Sequence, residues 1–437
     1  MSLATTRVAT ATSTRALRIA LVHAADLGGG AERSVASLHR GLKQLGHEAT
    51  LFVGERRSDA ADVIQIPYVR GIPGSRRLAR AAERRFGWQD IYNPSFRALE
   101  KAIRGNFDVV HFNSLWGSAG FADIAALPAL TRVAPGLITM RENWLITGHC
   151  ACFDACERWR SGCGNCPDLD RVPRLPRDGT AFNWRRKRSA LQDSRLQVVA
   201  ISDWLAQQAR ESPMLAGKTV SRIYNGIEID IFAPPTAEAR RAARARLGIG
   251  EDELVVLLAG QTVLGLNSFR APQHAAEILN ALPKSIRVRP LLLGDAAPAL
   301  AARISGDCVS LPFQRTPEEM AVCYSLADVT LVTSEAEAFG RIAAESQACG
   351  TPVVAFDTGA IPEVVLDGIG GRVVRRGDVA AAAAAMGDLA ADASLRARFG
   401  SAGRAHVVAS FDARAIAGQY EGLYRRVLDE FPAGDRT

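Results

Sequence analysis

The chain has 437 residues, 48% of them hydrophobic, with 53 Lys+Arg against 46 Asp+Glu and a formal charge of +7. That length supports two domains with full cores, and the mean hydropathy of +0.01 is ordinary for a globular protein. No run of about 18 apolar residues exists, which excludes a membrane-spanning helix. Residues 1–16 lack the apolar core of a secretory signal and read as a disordered tail, so a cytoplasmic chain is expected, at most touching the inner face of the plasma membrane.

The charge is uneven. Residues 1–220 hold 31 basic and 20 acidic side chains, a balance of +11, and the remainder hold 22 and 26, a balance of −4. A basic half can serve nucleic acid, a membrane surface or an anionic substrate, or be a solvated face.

Residues 17–23 (LRIALVH) read as the first strand. Gly28-Gly29-Gly30-Ala31-Glu32-Arg33 then lead into a helix over 34–45, where Val35, Leu38, Leu42 and Leu45 recur near helical spacing. With a strand from residue 49, this is a βαβ unit with glycines at its turn. Glycines there let backbone approach a ligand closely, although a plain turn has the same composition. In 70–106, Arg76, Arg77, Arg80, Arg84 and Arg85 recur beside Leu78, as in a basic helix on an anionic membrane or a solvated one. Strands are expected at 107–112 and 137–140, the second running into Arg141-Glu142. Five of the eight cysteines fall within the 17 residues 150–166. A strand at 198–203 and a hinge near 220–235 follow.

The second half is expected to hold a helix at 238–247, strands at 254–259, 290–293 and 308–313, a helix at 317–326 and an Ala-rich helix at 379–391. Its centre is residues 327–356: strand, tight loop, helix, stop at Gly350, strand. Such a unit implies parallel strands and a right-handed crossover, with ligands bound where strands end and helices begin. Glu337 lies in the loop and Glu345 on the helix. Between them the amides of Phe339 and Gly340 open a helix N-terminus suited to an anion such as phosphate. A nucleotide sugar supplies a diphosphate for the amides and hydroxyls for both carboxylates. Spacing alone equally fits a solvated helix with acidic residues near its start.

The string E-A-F-G-x-x-x-x-E from Glu337, followed by A-C-G-T-P-V-V-A and by T-G-A-I-P-E-V-V at 358–365, resembles family 4 glycosyltransferases, which are retaining enzymes of the GT-B fold. The resemblance covers roughly residues 17–430. It implies an α/β fold of two Rossmann-like domains with an interdomain cleft: an acceptor-side domain over 17–222, a nucleotide-sugar domain over 223–412, and a helix over 413–437 crossing back. It implies sugar transfer from a nucleotide-sugar donor to a glycan or polyprenyl-linked acceptor. By the same resemblance Glu337 lies at the transferred sugar and Glu345 holds the ribose. Gly29 and Gly30 line the cleft, and Asn225 and Gly226 stand in the hinge motif. Arg270 is the positional match for the usual diphosphate-binding lysine, with Ala271 where a glycine is expected. Relatives carry His-Asp where Arg141-Glu142 stand, which makes Arg141 a candidate with an altered role toward the donor.

The string T-G-x-C…C-E-R-W…G-C-G-N-C-P within 145–175 resembles a subgroup from exopolysaccharide and colanic-acid-type pathways. Cys150, Cys156, Cys163 and Cys166, spaced C-x5-C-x6-C-x2-C, suggest one structural zinc ion. Disulfides, a redox pair, an iron–sulfur cluster and unligated thiols are the alternatives. No DxD-type metal motif is evident at the expected cleft, so no catalytic metal is expected. Nucleotide-sugar epimerases and hydrolases share the fold. A nucleic-acid partner is not expected, because 145–175 holds few stacking aromatics beyond Phe153 and Trp159.

Overall fold

Apolar runs such as Arg18–Ala25 and Leu254–Ala259 are buried along almost their whole length. Strands apolar on both faces belong in parallel sheets covered by helices. A computed structural model describes residues 15–66, 75–91, 93–116, 121–153, 155–259, 271–294 and 297–431. Two such sheets form within it. The first contains β1 (Arg18–Ala25), β2 (Glu48–Glu55), β3 (Val63–Gln65), β4 (Val109–Asn113), β5 (Gly136–Met140), β6 (Leu196–Ala200) and β7 (Val220–Arg222), in the order β3-β2-β1-β4-β5-β6-β7. The second contains β8 (Leu254–Ala259), β9 (Val288–Leu293), β10 (Val309–Leu311), β11 (Val329–Val332), β12 (Val353–Asp357) and β13 (Gly371–Arg375), in the order β10-β9-β8-β11-β12-β13. Neighbouring strands run parallel, as in β1–β4 and β8–β11. Each domain is Rossmann-like, and each sheet reverses its order once, between β1 and β4 and between β8 and β11.

The first helix is Gly30–Gln44, four residues longer at its start than its apolar spacing predicts. Gly29 is extended at the cap, and the Arg33 amide already donates to the Gly29 carbonyl at 3.0 Å. The glycine run therefore straddles the helix start: Gly28 lies in the preceding bend, Gly29 caps the helix and Gly30 is its first residue. The basic helix is Ser75–Phe86, with Leu78 70% exposed.

The chain passes between the domains twice, side by side. The Ile227 amide donates to the Phe411 carbonyl at 2.7 Å, and the Ala413 amide to the Ile227 carbonyl at 3.0 Å. The last helix, Ala413–Glu430, then buries Ile416, Tyr420, Leu423, Tyr424 and Val427 in one cluster with Ile19 and Leu21 of β1 and Val35 and Leu38 of the first helix. Against this cluster, His111 on β4 stands 2.7 Å from the Tyr424 hydroxyl and 2.7 Å from Thr139 Oγ1. Burial, with Arg141 nearby, pulls this imidazole down to about 3, so a neutral ring ties the last helix to the first sheet.

Asp108 joins the edges of β1 and β4. It accepts from the Arg18 amide at 2.8 Å, from Arg18 Nη2 at 3.0 Å and from Arg15 Nη2 at 2.6 Å. Burial alone would raise this carboxyl. The Arg18 and Arg15 hydrogen bonds outweigh burial and hold it at about 2, below its ordinary 3.8. Because the folded value is the lower one, the stability it contributes is complete above about pH 4 and is lost as pH falls through about 2. Thermal melting across that window should show a flatter acid limb for Asp108→Asn than for the parent protein. Identical acid limbs would reject this role for Asp108.

Candidate active site

Ligand crevices in open α/β sheets form outside the carboxyl ends of the strands, at the point where strand order reverses. Here the turn after β1 and the loop after β11 face each other across a cavity of about 320 Å³, within the range of small-ligand sites. Gly29, Gly30, Arg141 and Asn225 line it from one side, and Glu337, Phe339, Gly340 and Glu345 from the other. Arg270 lies outside the described residues. Gly226 marks the chain crossing instead: an added Cβ would come within 2.8 Å of Ala413 Cα.

The Glu337 loop is braced from behind. Ser334 Oγ donates to Glu337 Oε1 at 2.9 Å, and Thr358 Oγ1 donates to the Ser334 carbonyl at 3.0 Å. The Ala360 amide donates to the Glu337 carbonyl at 2.8 Å. Gly359 has φ +56°, and a Cβ there would meet the Glu337 carbonyl oxygen at 2.0 Å. This close approach gives the T-G-A-I segment a mechanical task that its sequence does not announce.

No motif singles out Arg341, yet it occupies the centre of the cleft. Its Nε donates to Glu345 Oε1 at 2.6 Å and its Nη2 to Glu228 Oε2 at 3.0 Å. Its Nη1 reaches Ser34 Oγ at 3.2 Å and the Gly226 carbonyl at 3.1 Å. One side chain thus joins the second domain, the hinge and the first helix. Tyr324 donates its hydroxyl to Glu345 Oε2 at 3.0 Å, so both oxygens of this buried carboxylate have partners. The i, i+4 spacing of Arg341 and Glu345 is the one readable signal for this pair. A second bond across the cleft runs from Arg33 Nη2 to the Gln314 carbonyl at 2.6 Å.

On the first-domain wall, Arg141 Nη1 and Nη2 donate to Asn225 Oδ1 at 2.6 Å and Asn113 Oδ1 at 2.8 Å. Glu142 accepts from Ser114 Oγ at 2.7 Å, and burial raises its carboxyl. Lys187 supports the turn beyond them. Its Nζ donates to the carbonyls of Trp144 at 2.6 Å and Thr147 at 3.1 Å, and lies 3.4 Å from the Trp144 ring centre.

Among the described residues, no group of three or more His, Cys, Asp or Glu could hold a metal ion. Cys150, Cys156, Cys163 and Cys166 are all free thiols, and they lie close enough that charge on one would raise its neighbours, Cys163 and Cys166 on Cys150 and Cys156 on both Cys163 and Cys166. Two of the sulfurs make hydrogen-bond contacts of their own. The Gly148 amide donates to Cys163 Sγ at 3.2 Å, and His149 Nε2 stands 3.3 Å from Cys166 Sγ. Burial pushes the Cys150 thiol up to about 12 and that of Cys163 to about 11, which keeps both protonated. Of the five clustered cysteines it is Cys152, outside the four-cysteine set, that lines the cavity.

The sequence pattern of Glycosyltransferase Family 4 matches residues 28–231, and that of Glycosyl transferases group 1 matches residues 297–406. The chain is built from the two domains of a family 4 glycosyltransferase. Curated relatives agree. D-inositol 3-phosphate glycosyltransferase of Xylanimonas cellulosilytica is 37% identical over 48% of this chain and 54% of its own. The protein of that name from Streptomyces scabiei is 36% identical over 43% of this chain and 44% of its own. The chain thus spans about half the length of the curated relatives it matches. Solved structures share the fold at lower identity. Sucrose-phosphate synthase of Thermosynechococcus elongatus covers 94% of this chain and 100% of its own, with TM-score 0.69 and 20% identity. Anabaena HepE in complex with UDP-glucose covers 95% of this chain and 100% of its own, with TM-score 0.67 and 16% identity.

For this family 4 chain the brace behind Glu337 is open to a direct test. Gly359→Ala should push the Glu337 peptide out of place. Misplacement of a reacting group by about 1 Å can cost about a hundredfold in rate. A melting curve and a donor-binding isotherm should show a folded protein that still binds nucleotide but turns over far more slowly. Full turnover in a folded variant would show that the Gly359 contact is not needed.

Proposed function

We propose that this chain transfers a hexosyl group from a nucleotide sugar to a hydroxyl of a glycan or polyprenyl-linked glycan, with retention of configuration. The observation that carries the reading is the meeting of both strand-order reversals at one cavity, with Glu337 and Glu345 on its wall. In this reading the amides of Phe339 and Gly340 and the Arg270 guanidinium hold the donor diphosphate. The leaving diphosphate gains charge in the transition state, so these donors favour it over the ground state. The ribose diol exchanges for the Tyr324 hydroxyl on Glu345. Glu337 meets hydroxyls of the transferred sugar. Gly29 and Gly30 leave room for both substrates at the first-domain wall.

The acceptor then approaches over the first domain. The cysteine string supports a role in exopolysaccharide assembly. The exposed Leu78 on a helix rich in arginine supports contact with an anionic membrane at the inner face of the plasma membrane. A second reading has the relatives' name behind it: transfer to a phosphorylated polyol such as D-inositol 3-phosphate.

The two carboxylates separate the steps. Glu345→Ala should raise the donor KM and weaken nucleoside diphosphate binding by about tenfold or more, as expected for a lost hydrogen bond to a charged group. Glu337→Gln should lower kcat with little change in nucleoside diphosphate affinity. A screen of nucleotide sugars by thermal stabilisation supplies the donor for both assays. Full turnover in folded Glu337→Gln would remove Glu337 from the reaction.

A further inference from the structure

Arg141 directly follows β5 on the first-domain wall, is 7% exposed and lines the cavity. Its two terminal nitrogens are held by asparagine oxygens, and its buried Nε has no hydrogen-bond partner. Both holders are neutral. Glu142, its neighbour in sequence, turns to Ser114, and burial favours its uncharged form. Arg341 adds like-charge repulsion, which Glu142 and Glu32 oppose without making an ion-pair contact, and Arg341 is itself satisfied by Glu228 and Glu345. Among the described residues, then, Arg141 has no carboxylate in ion-pair contact, whereas Arg341 has two.

A buried cation without a counter-ion costs several kcal/mol, and amide dipoles offset only part of that. An anion arriving with a ligand removes the cost. The arginine fork suits carboxylate or phosphate oxygens, and Asn113 and Asn225 fix its orientation. The donor diphosphate has a separate place in the reading above, at Phe339 and Gly340 on the opposite domain.

We propose that Arg141 is a specificity-determining residue for a substrate carrying an anionic group of its own, besides the donor diphosphate. That group is a carboxylate on the transferred sugar or a phosphate on the acceptor. The proposal rests on the nucleotide-sugar reading of the cleft. It gives the position where relatives carry histidine a distinct use. A histidine can be neutral and serve a neutral sugar, whereas an arginine keeps its charge at any working pH.

The test has two arms on the full chain. In the first, UDP, UDP-glucose and UDP-glucuronate, with their GDP counterparts GDP, GDP-mannose and GDP-mannuronate, are compared by calorimetry. In the second, inositol and D-inositol 3-phosphate are compared in the presence of saturating UDP or GDP. The expected result is that one arm prefers its anionic ligand by about ten- to hundredfold. Arg141→Gln should reduce that preference to near unity while leaving UDP or GDP affinity unchanged. Arg141→Lys should retain part of it, which covers the case of an unfolded glutamine variant. Preference for the neutral ligand in both arms overturns the proposal and leaves the nucleotide-sugar reading standing. Equal loss of affinity for UDP or GDP and for the anionic ligand overturns it too, because Arg141 would then serve the diphosphate. Failure of every nucleotide and nucleotide sugar to bind would instead reject the reading on which the proposal stands.

Discussion

The bonds of Arg341 hold the cleft together. One guanidinium reaches Glu345 on its own helix, Glu228 and the Gly226 carbonyl in the hinge, and Ser34 in the opposite domain. Truncating one member of such a buried network costs about 3–5 kcal/mol, because the remaining charges are left without partners. The same contacts set the distance between the glycine turn and the Glu337 loop. The shape of the cavity therefore depends on a residue whose own charge is spent on the protein.

The electrostatics of the cavity follow from that division. Arg341 is neutralised by two carboxylates, and Glu345 is neutralised in return. Glu142 is driven toward its uncharged form by burial. What faces the cavity is a cationic Arg141, a cationic Arg33 tied to a carbonyl, and Glu337 with its serine. Opposite charges thus sit on different walls, as suits a ligand with an anionic end and a hydroxyl-bearing end.

The fold was legible because its strands are short, apolar and bounded by glycines. Strand Leu254–Ala259, helix Pro317–Leu326 and helix Val379–Ala391 lie where their composition predicts. Glu337 and Glu345 were singled out by the resemblance of the E-A-F-G-x-x-x-x-E string, since their spacing alone equally fits a solvated helix, and both line the cavity. Glu228 as a partner of Arg341 was not legible, since 113 residues separate the pair and only the folded hinge brings them together. Gly359 entered only as part of the T-G-A-I-P-E-V-V resemblance, and its task shows in the fold, where an added Cβ would meet the Glu337 carbonyl oxygen at 2.0 Å. At Ala271 the backbone is left-handed, with φ +39°, a conformation that favours glycine and suits a position where glycine is expected. Spacing did not tell where each cysteine sulfur points: Cys163 meets the Gly148 amide, Cys166 the His149 imidazole, and Cys152 lines the cavity.

The last helix has a consequence for how the protein is made. Its buried face completes the core of the first domain, yet it leaves the ribosome after the second domain. Domains generally fold in order of synthesis. This first domain must wait with Val35, Leu38 and the tyrosines' partner His111 uncovered while the whole second domain is translated. Closing that face and setting the second crossing segment beside the first are then a single event, so the cleft is completed only once that helix has emerged.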